Sequence, residues 1–187
     1  MGAGTGLGRV IIRASRAEDS AALAAIYGHH VLNGFGTFEE VPPGAEEMAA
    51  RRQAVVDRGL PHLVAEDAGR VLGFAYAGPF RPRAAYRYTV EDSVYVAPDA
   101  IGRGVGKAVL SEVIRSCEAF GIRQVVAVIG DSANAGSIGL HTALGFEPAG
   151  VGKGFGYKLG RWVDIVWMRK SLNGGDTTAP DALGMQL

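Results

Sequence analysis

A single cysteine, Cys117, leaves no partner for an internal disulfide in this 187-residue chain, which fits work in a reducing compartment. No apolar run reaches the roughly 18 residues that span a bilayer. The opening residues, MGAGTGLGR, lack the basic start and apolar segment of a secretion signal. An excess of one charge is missing too: 19 basic and 19 acidic residues cancel, so no overall field gathers nucleic acid or an anionic membrane. The expectation is a cytoplasmic protein with neither of those partners. What is plentiful is apolar: 48% hydrophobic and 20% charged residues, over about one domain's length, suit a soluble fold with a sizeable core.

Residues 1–8 and 173–187 are poor in periodic apolar content and are predicted to be loose tails around one domain at 9–172. Val10–Arg13 reads as a first strand, and Ala17–Ser20 opens a helix with apolar positions Leu23, Ile26, Tyr27 and Val31 at helical spacing. Thr37–Val41 reads as extended, then a helix over 44–58 ends near Gly59. His62–Asp67 and Arg70–Gly78 pair around Ala68-Gly69. A strand at 89–97, stopped by Pro98, a helix over 104–120 closed by Gly121, and an apolar strand at 124–129 make one β-α-β crossover. A helix at 134–144 and strands at 146–151 and 162–170 complete an α+β chain, with a mixed, mostly antiparallel sheet and helices on both faces.

The crossover carries the most informative stretch, SVYVAPDAIGRGVGKA from Ser93 to Ala108. Main-chain amides presented by glycines at a helix N-terminus receive a diphosphate. The Walker loop does not fit, because Gly106-Lys107 would need a glycine at Ile101 and a hydroxyl at Ala108. The dinucleotide fingerprint fails as well, meeting Lys107 or Val109 where its third glycine belongs. Arg103 and Lys107 add positive charge at the rim; their competing reading is solvated cations at a helix start, just as the loop's is a turn with no ligand. Asn134, Ser137 and His141 fall on one helical face and can point at one ligand. Cys117 lies far from the positive end of its helix and reads as a packed thiol. His29 and His30 are adjacent on a helix and lack the i, i+4 spacing of a metal pair, so no metal site is expected.

Ile101–Gly106 resembles the acyl-CoA loop of the general N-acetyltransferase superfamily, Gln/Arg-x-x-Gly-x-Gly/Ala, with Ile101 departing at the first position. Asn134 through Leu144-Gly145-Phe146 is similar to that superfamily's segment with a catalytic Tyr, but His141 stands in the Tyr position. One subfamily carries His there, the phosphinothricin and methionine sulfoximine or sulfone N-acetyltransferases. Residues 10–170 resemble it, most specifically at Ala25–Val31, Thr37–Glu40, Gly78–Arg81, Thr89–Val96, Val126–Gly130 and Gly156–Lys158 with Gly160–Trp162.

The resemblance implies the acyl-CoA N-acyltransferase fold, in which two central strands splay beside the glycine loop. It also implies acetyl-CoA as cosubstrate, no metal, a small amino-acid-like acceptor and a homodimer. It assigns catalysis to Glu91 and His141. Cofactor binding falls to Val94, Tyr95, Val96, Gly102, Arg103, Gly104, Val105, Gly106, Lys107, Asn134 and Ser137, and the acceptor pocket to Phe38, Arg81, Arg83 and Tyr86.

The chemistry agrees with those residue types. An amino-acid ammonium must lose a proton to attack a thioester, and a carboxylate on an apolar strand, with a pKa raised by desolvation, is a suitable base. Glu91 competes with a solvent-facing edge reading. For His141 three roles stand open: proton relay, hydrogen bonding to the tetrahedral intermediate, or protonation of the departing thiolate. Arg81 and Arg83 suit an acceptor's anionic groups, or are solvent-facing loop arginines. With no nucleophile arrangement evident, direct transfer to the amine is expected. The alternatives are acetylation of a protein or polyamine amine, and an acyl-CoA sensor without chemistry.

Overall fold

Alternating side chains commit the central strands to two buried faces, so helices must cover both. The computed structural model describes residues 10–187. Its strands are β1 (Ile11–Ala14), β2 (His62–Asp67), β3 (Arg70–Pro79), β4 (Thr89–Val96), β5 (Gln124–Gly130), β6 (Glu147–Lys158) and β7 (Arg161–Ser171). The helices are α1 (Ser20–Asn33), α2 (Ala45–Val56), α3 (Val105–Phe120) and α4 (Ala135–Ala143). All seven strands join one sheet in the order β1-β2-β3-β4-β5-β7-β6. Only the β4–β5 pair is parallel, the pair that α3 connects.

α3 shows why the chain folds this way locally. Val105, Val109, Leu110, Val113, Ile114 and Cys117 make one buried stripe at helical spacing. Each such side chain contributes about 1.5–3 kcal/mol on burial. Gly104 opens the helix and Gly121 closes it, both left-handed, at φ +80° and +92°. On the opposite face, Tyr27 of α1 meets Tyr95 edge-on at 4.8 Å, and His62, Phe74 and Tyr76 stack nearly parallel.

The sheet parts in its middle. β4 and β5 are in register only from Thr89–Gln124 to Asp92–Ala127. Beyond that, β4 continues to Val96 against β3, and β5 to Gly130 against β7. The gap between them holds the site.

Three expectations need adjusting. Thr37–Val41 forms no strand; Thr37 is instead tied by the Lys158 ammonium to its carbonyl (2.7 Å) and by the Tyr27 hydroxyl to its side chain (2.8 Å). The strand expected at 146–151 runs on to Lys158, through an irregularity at Lys153–Phe155. There the amide of Gly154 and the ammonium of Lys153 both donate to Asp164. Finally, the tail at 173–187 has no helix or strand but is strapped down. Asn173 caps the carbonyls of Glu118 and Ile122, the buried Arg123 guanidinium donates to the carbonyls of Gly175 and Thr178, and Met185 is buried. The tail expected at 1–8 lies outside the described residues.

Candidate active site

The parting of β4 from β5 opens a cavity of about 850 Å³. At one end lies the glycine loop. Gly102 and Gly104 hold φ near +80°, a conformation that costs other residues about 1 kcal/mol or more, and a Cβ on either would enter open space. The first amides of α3 have no partners within the helix and face the same end. This cradle and the wall of Val94, Tyr95 and Val96 fit a CoA diphosphate and its arm. Gly106 serves a different need: its Cα abuts Val96 and Leu140, where a Cβ would be crowded at 3.3–3.4 Å.

Of the candidate residues, Phe38, Glu91, Val94–Val96, Gly102, Gly104–Lys107, Asn134, Ser137 and His141 line this cavity. Arg103 does not, and neither do Arg81, Arg83 and Tyr86, which sit on the exposed segment between β3 and β4. Arg81 stacks on Phe80, with its guanidinium carbon 4.4 Å from the ring centroid, and Tyr86 meets the same ring edge-on.

Glu91 stands on a central strand, paired to Gly78 on one side and Val126 on the other, one residue before β4 and β5 separate. It is therefore no edge residue. Burial pushes its carboxyl pKa up, the Arg81 charge opposes this, and Asp92 adds to the rise.

His141 is 2% exposed and both ring nitrogens are engaged. Nδ1 donates to the Ser137 carbonyl at 2.7 Å, and Nε2 lies 3.0 Å from Asp92 Oδ2. Facing a carbonyl and a carboxylate, the ring is placed to donate on both sides, an arrangement that favours the imidazolium form. Burial works against that charge, but the hydrogen bond and field of Asp92 outweigh it, and the pKa lies above the ordinary value. Because side chains alternate along β4, Glu91 faces α1 while Asp92 faces α4. The expected single face of Asn134, Ser137 and His141 is partly spent on the helix itself. Asn134 Oδ1 caps α4 by accepting from the Ser137 amide at 3.1 Å, as residues at that position do.

Sequence reasoning missed several contributors. Asp92 is the partner of His141, and its Oδ1 is buried without a hydrogen-bond partner among the described residues. His30 donates from Nε2 to the Val96 carbonyl at 2.8 Å, in the half of β4 that has left β5. Tyr27 donates to Glu39, which Arg51 also grips. The acidic pair Glu91-Asp92 on one strand is the signal for the first; the others required the fold. Cys117 is fully buried, its thiol pushed up to about 12 by burial, as befits packing. Among the described residues no helix is long and apolar enough to cross a membrane, and no cluster of His, Cys, Asp or Glu is arranged to hold a metal.

The model of the acetyltransferase (GNAT) family matches residues 28–146. The phosphinothricin N-acetyltransferase of Alcaligenes faecalis is 55% identical over 170 residues, 91% of this chain and 86% of that one. An L-methionine sulfoximine/L-methionine sulfone acetyltransferase of Pseudomonas aeruginosa is 42% identical, over 87% of this chain and 94% of its own. Among solved structures, a GNAT phosphinothricin acetyltransferase from Sinorhizobium meliloti in complex with AcCoA superposes with a TM-score of 0.88. It is 47% identical and covers 91% of this chain and 92% of that one.

Proposed function

Since the chain belongs to the acetyltransferase (GNAT) family, we propose that it moves acetyl from acetyl-CoA directly to the α-amine of a small amino acid or analogue. Phosphinothricin and methionine sulfone or sulfoximine are the acceptor types to which its relatives point. The observation that carries this reading is the parted sheet, with an open glycine cradle at one end and Glu91 at the point of separation.

In this reading Glu91 takes the proton that the acceptor amine must lose, directly or through one water. Its desolvated carboxyl is a better base near neutral pH than an exposed one. With Asp92 and Ser137 holding both nitrogens, His141 has neither a lone pair to act as a base nor a free N–H to donate, which favours a purely electrostatic role. Its charge then supports the negative sulfur as the thioester opens. Phe38 shapes the acceptor end, and Arg81 supplies positive charge to its rim. Cytoplasmic residence agrees with a reduced, buried Cys117. A homodimer agrees with the apolar side chains exposed along the β6–β7 hairpin, Val151, Phe155, Tyr157, Leu159 and Trp162.

A thiol-release assay over amino acids, phosphinothricin, methionine sulfone and methionine sulfoximine, ranked by kcat/KM, tests this. Turnover is expected with the small anionic acceptors. Tight acetyl-CoA binding without thiol release across the panel would replace the enzyme by an acyl-CoA sensor.

A further inference from the structure

Lys158 is one of the largest fully buried side chains in the molecule, at 2% exposure, and among the described residues no carboxylate lies within 4 Å of its ammonium. A buried ammonium without a paired anion is costly and persists only where hydrogen bonds compensate. Here it spans most of the chain to do so. From the end of β6, Nζ donates to the carbonyls of Gly34 and Thr37, at 2.8 and 2.7 Å.

The segment it grips, Gly34–Phe38, is a wall of the cavity on the Glu91 side of the sheet. Two glycines show how closely that segment is seated. A Cβ on Gly130 would stand 1.7 Å from the Phe35 carbonyl oxygen, and one on Gly156 would stand 2.3 Å from the Phe38 ring. Arg161 covers Phe35 from outside, its guanidinium carbon 4.0 Å from the ring centroid. The far end is fixed separately, by Tyr27 and Arg51 on Glu39.

We propose that Lys158 is a positioning residue for the acceptor. By capping two carbonyls of the Gly34–Phe38 wall, it presses Phe35 and Phe38 into the seats left by Gly130 and Gly156, and so sets the shape of the acceptor end without touching acceptor or cofactor. The proposal deepens the acetyltransferase reading and rests on it. Lys158→Met keeps an unbranched apolar stem but removes charge and donors, so the wall loses its tether while the glycine cradle, on another part of the fold, is untouched.

The test combines kinetics with hydrogen exchange. In Lys158→Met the KM for methionine sulfone is expected to rise about tenfold, with the Kd for acetyl-CoA within twofold of wild type and faster amide exchange confined to the segment around residues 34–39. Gly156→Ala, which displaces Phe38 directly, is expected to raise the same KM, and the double variant to cost less than the two effects combined, because both disturb one wall. An unchanged acceptor KM overturns the proposal, as does a loss of acetyl-CoA affinity equal to the loss of acceptor affinity. If Lys158→Met is insoluble, Lys158→Arg, with charge and donors on a bulkier head, is expected to shift the acceptor KM alone. Insolubility of both variants overturns positioning in favour of a purely structural lysine. A wild type that acetylates none of the panel refutes the enzyme reading instead, and the exchange experiment still reports whether Lys158 holds the wall.

Discussion

Replacing Asp92 by Asn tests whether the buried pair in the cavity wall carries charge. Its side chains are 1% and 2% exposed, so little solvent screens them. Asparagine is nearly isosteric and can donate from Nδ2 to a neutral His141 Nε2, while Nδ1 keeps its bond to the Ser137 carbonyl. What disappears is the ionic part of the interaction. Hydrogen bonds to charged groups contribute about 1.5–3 kcal/mol net, so a loss of about 2 kcal/mol is expected, or about 4–8 °C in Tm for a domain of this size.

The pH dependence discriminates. The His141 pKa is raised on folding, so its stabilising contribution is complete below the unfolded value of 6.5 and is lost as pH rises through the folded value. The gap between wild type and Asp92→Asn is therefore widest near about pH 6 and narrows by about pH 9. Thermal melts followed by circular dichroism at the two pH values measure it. A gap of equal size at both would show that no charge is held there, and with it would fall the cationic role given to His141.

Glu91→Gln should lower kcat by about 10²–10⁴, the usual worth of a positioned base, while the Kd for acetyl-CoA measured by calorimetry stays within twofold. Gly104→Ala forces a side chain into left-handed backbone at φ +80° and into the open cradle; we expect about 1 kcal/mol of lost stability by urea unfolding and an acetyl-CoA Kd raised several-fold. His62, sandwiched with Phe74 and Tyr76, has its pKa lowered by burial from 6.5 to about 4. Stability is thus full above 6.5 and falls as pH drops toward 4, by about 3 kcal/mol at 1.36 kcal/mol per pH unit. Unfolding titrations at about pH 7 and pH 4 should show that His62→Phe flattens this dependence.

The elements that sequence made legible are those with one strong period. The stripe of α3, its flanking glycines and the apolar run of β5 each point to a single structure, and each sits within a residue or two of its expected bounds. β6 is legible only in part because Gly150, Gly152, Gly154 and Gly156 erase the alternation by which a strand is recognised; Trp167, Phe155 and Phe38 fill the space beside Gly150, Gly152 and Gly156, while Gly154 answers to its left-handed φ of +59°. The tail beyond Leu172 is polar and aperiodic, and what holds it is hydrogen bonding from Arg123 to its carbonyls and from its own Asn173 to the carbonyls of Glu118 and Ile122, which composition does not register. In the site, Glu91, His141 and the glycine loop were legible as motifs. The role of Asp92 was not, because its partner lies 49 positions away and the pairing exists only once the fold brings His141 of α4 against the middle of β4.

The interrupted β4–β5 ladder makes this protein's durability a function of its surroundings. Only four residue pairs join the two leaves of the sheet. A molecule lodged in the cleft acts as mortar, and by mass action it adds about 2.7 kcal/mol when present at a hundred times its dissociation constant. Proteolytic half-life should therefore lengthen when coenzyme is abundant and shorten when it is scarce, so that supply of the acyl donor governs both how fast the enzyme works and how long each copy survives.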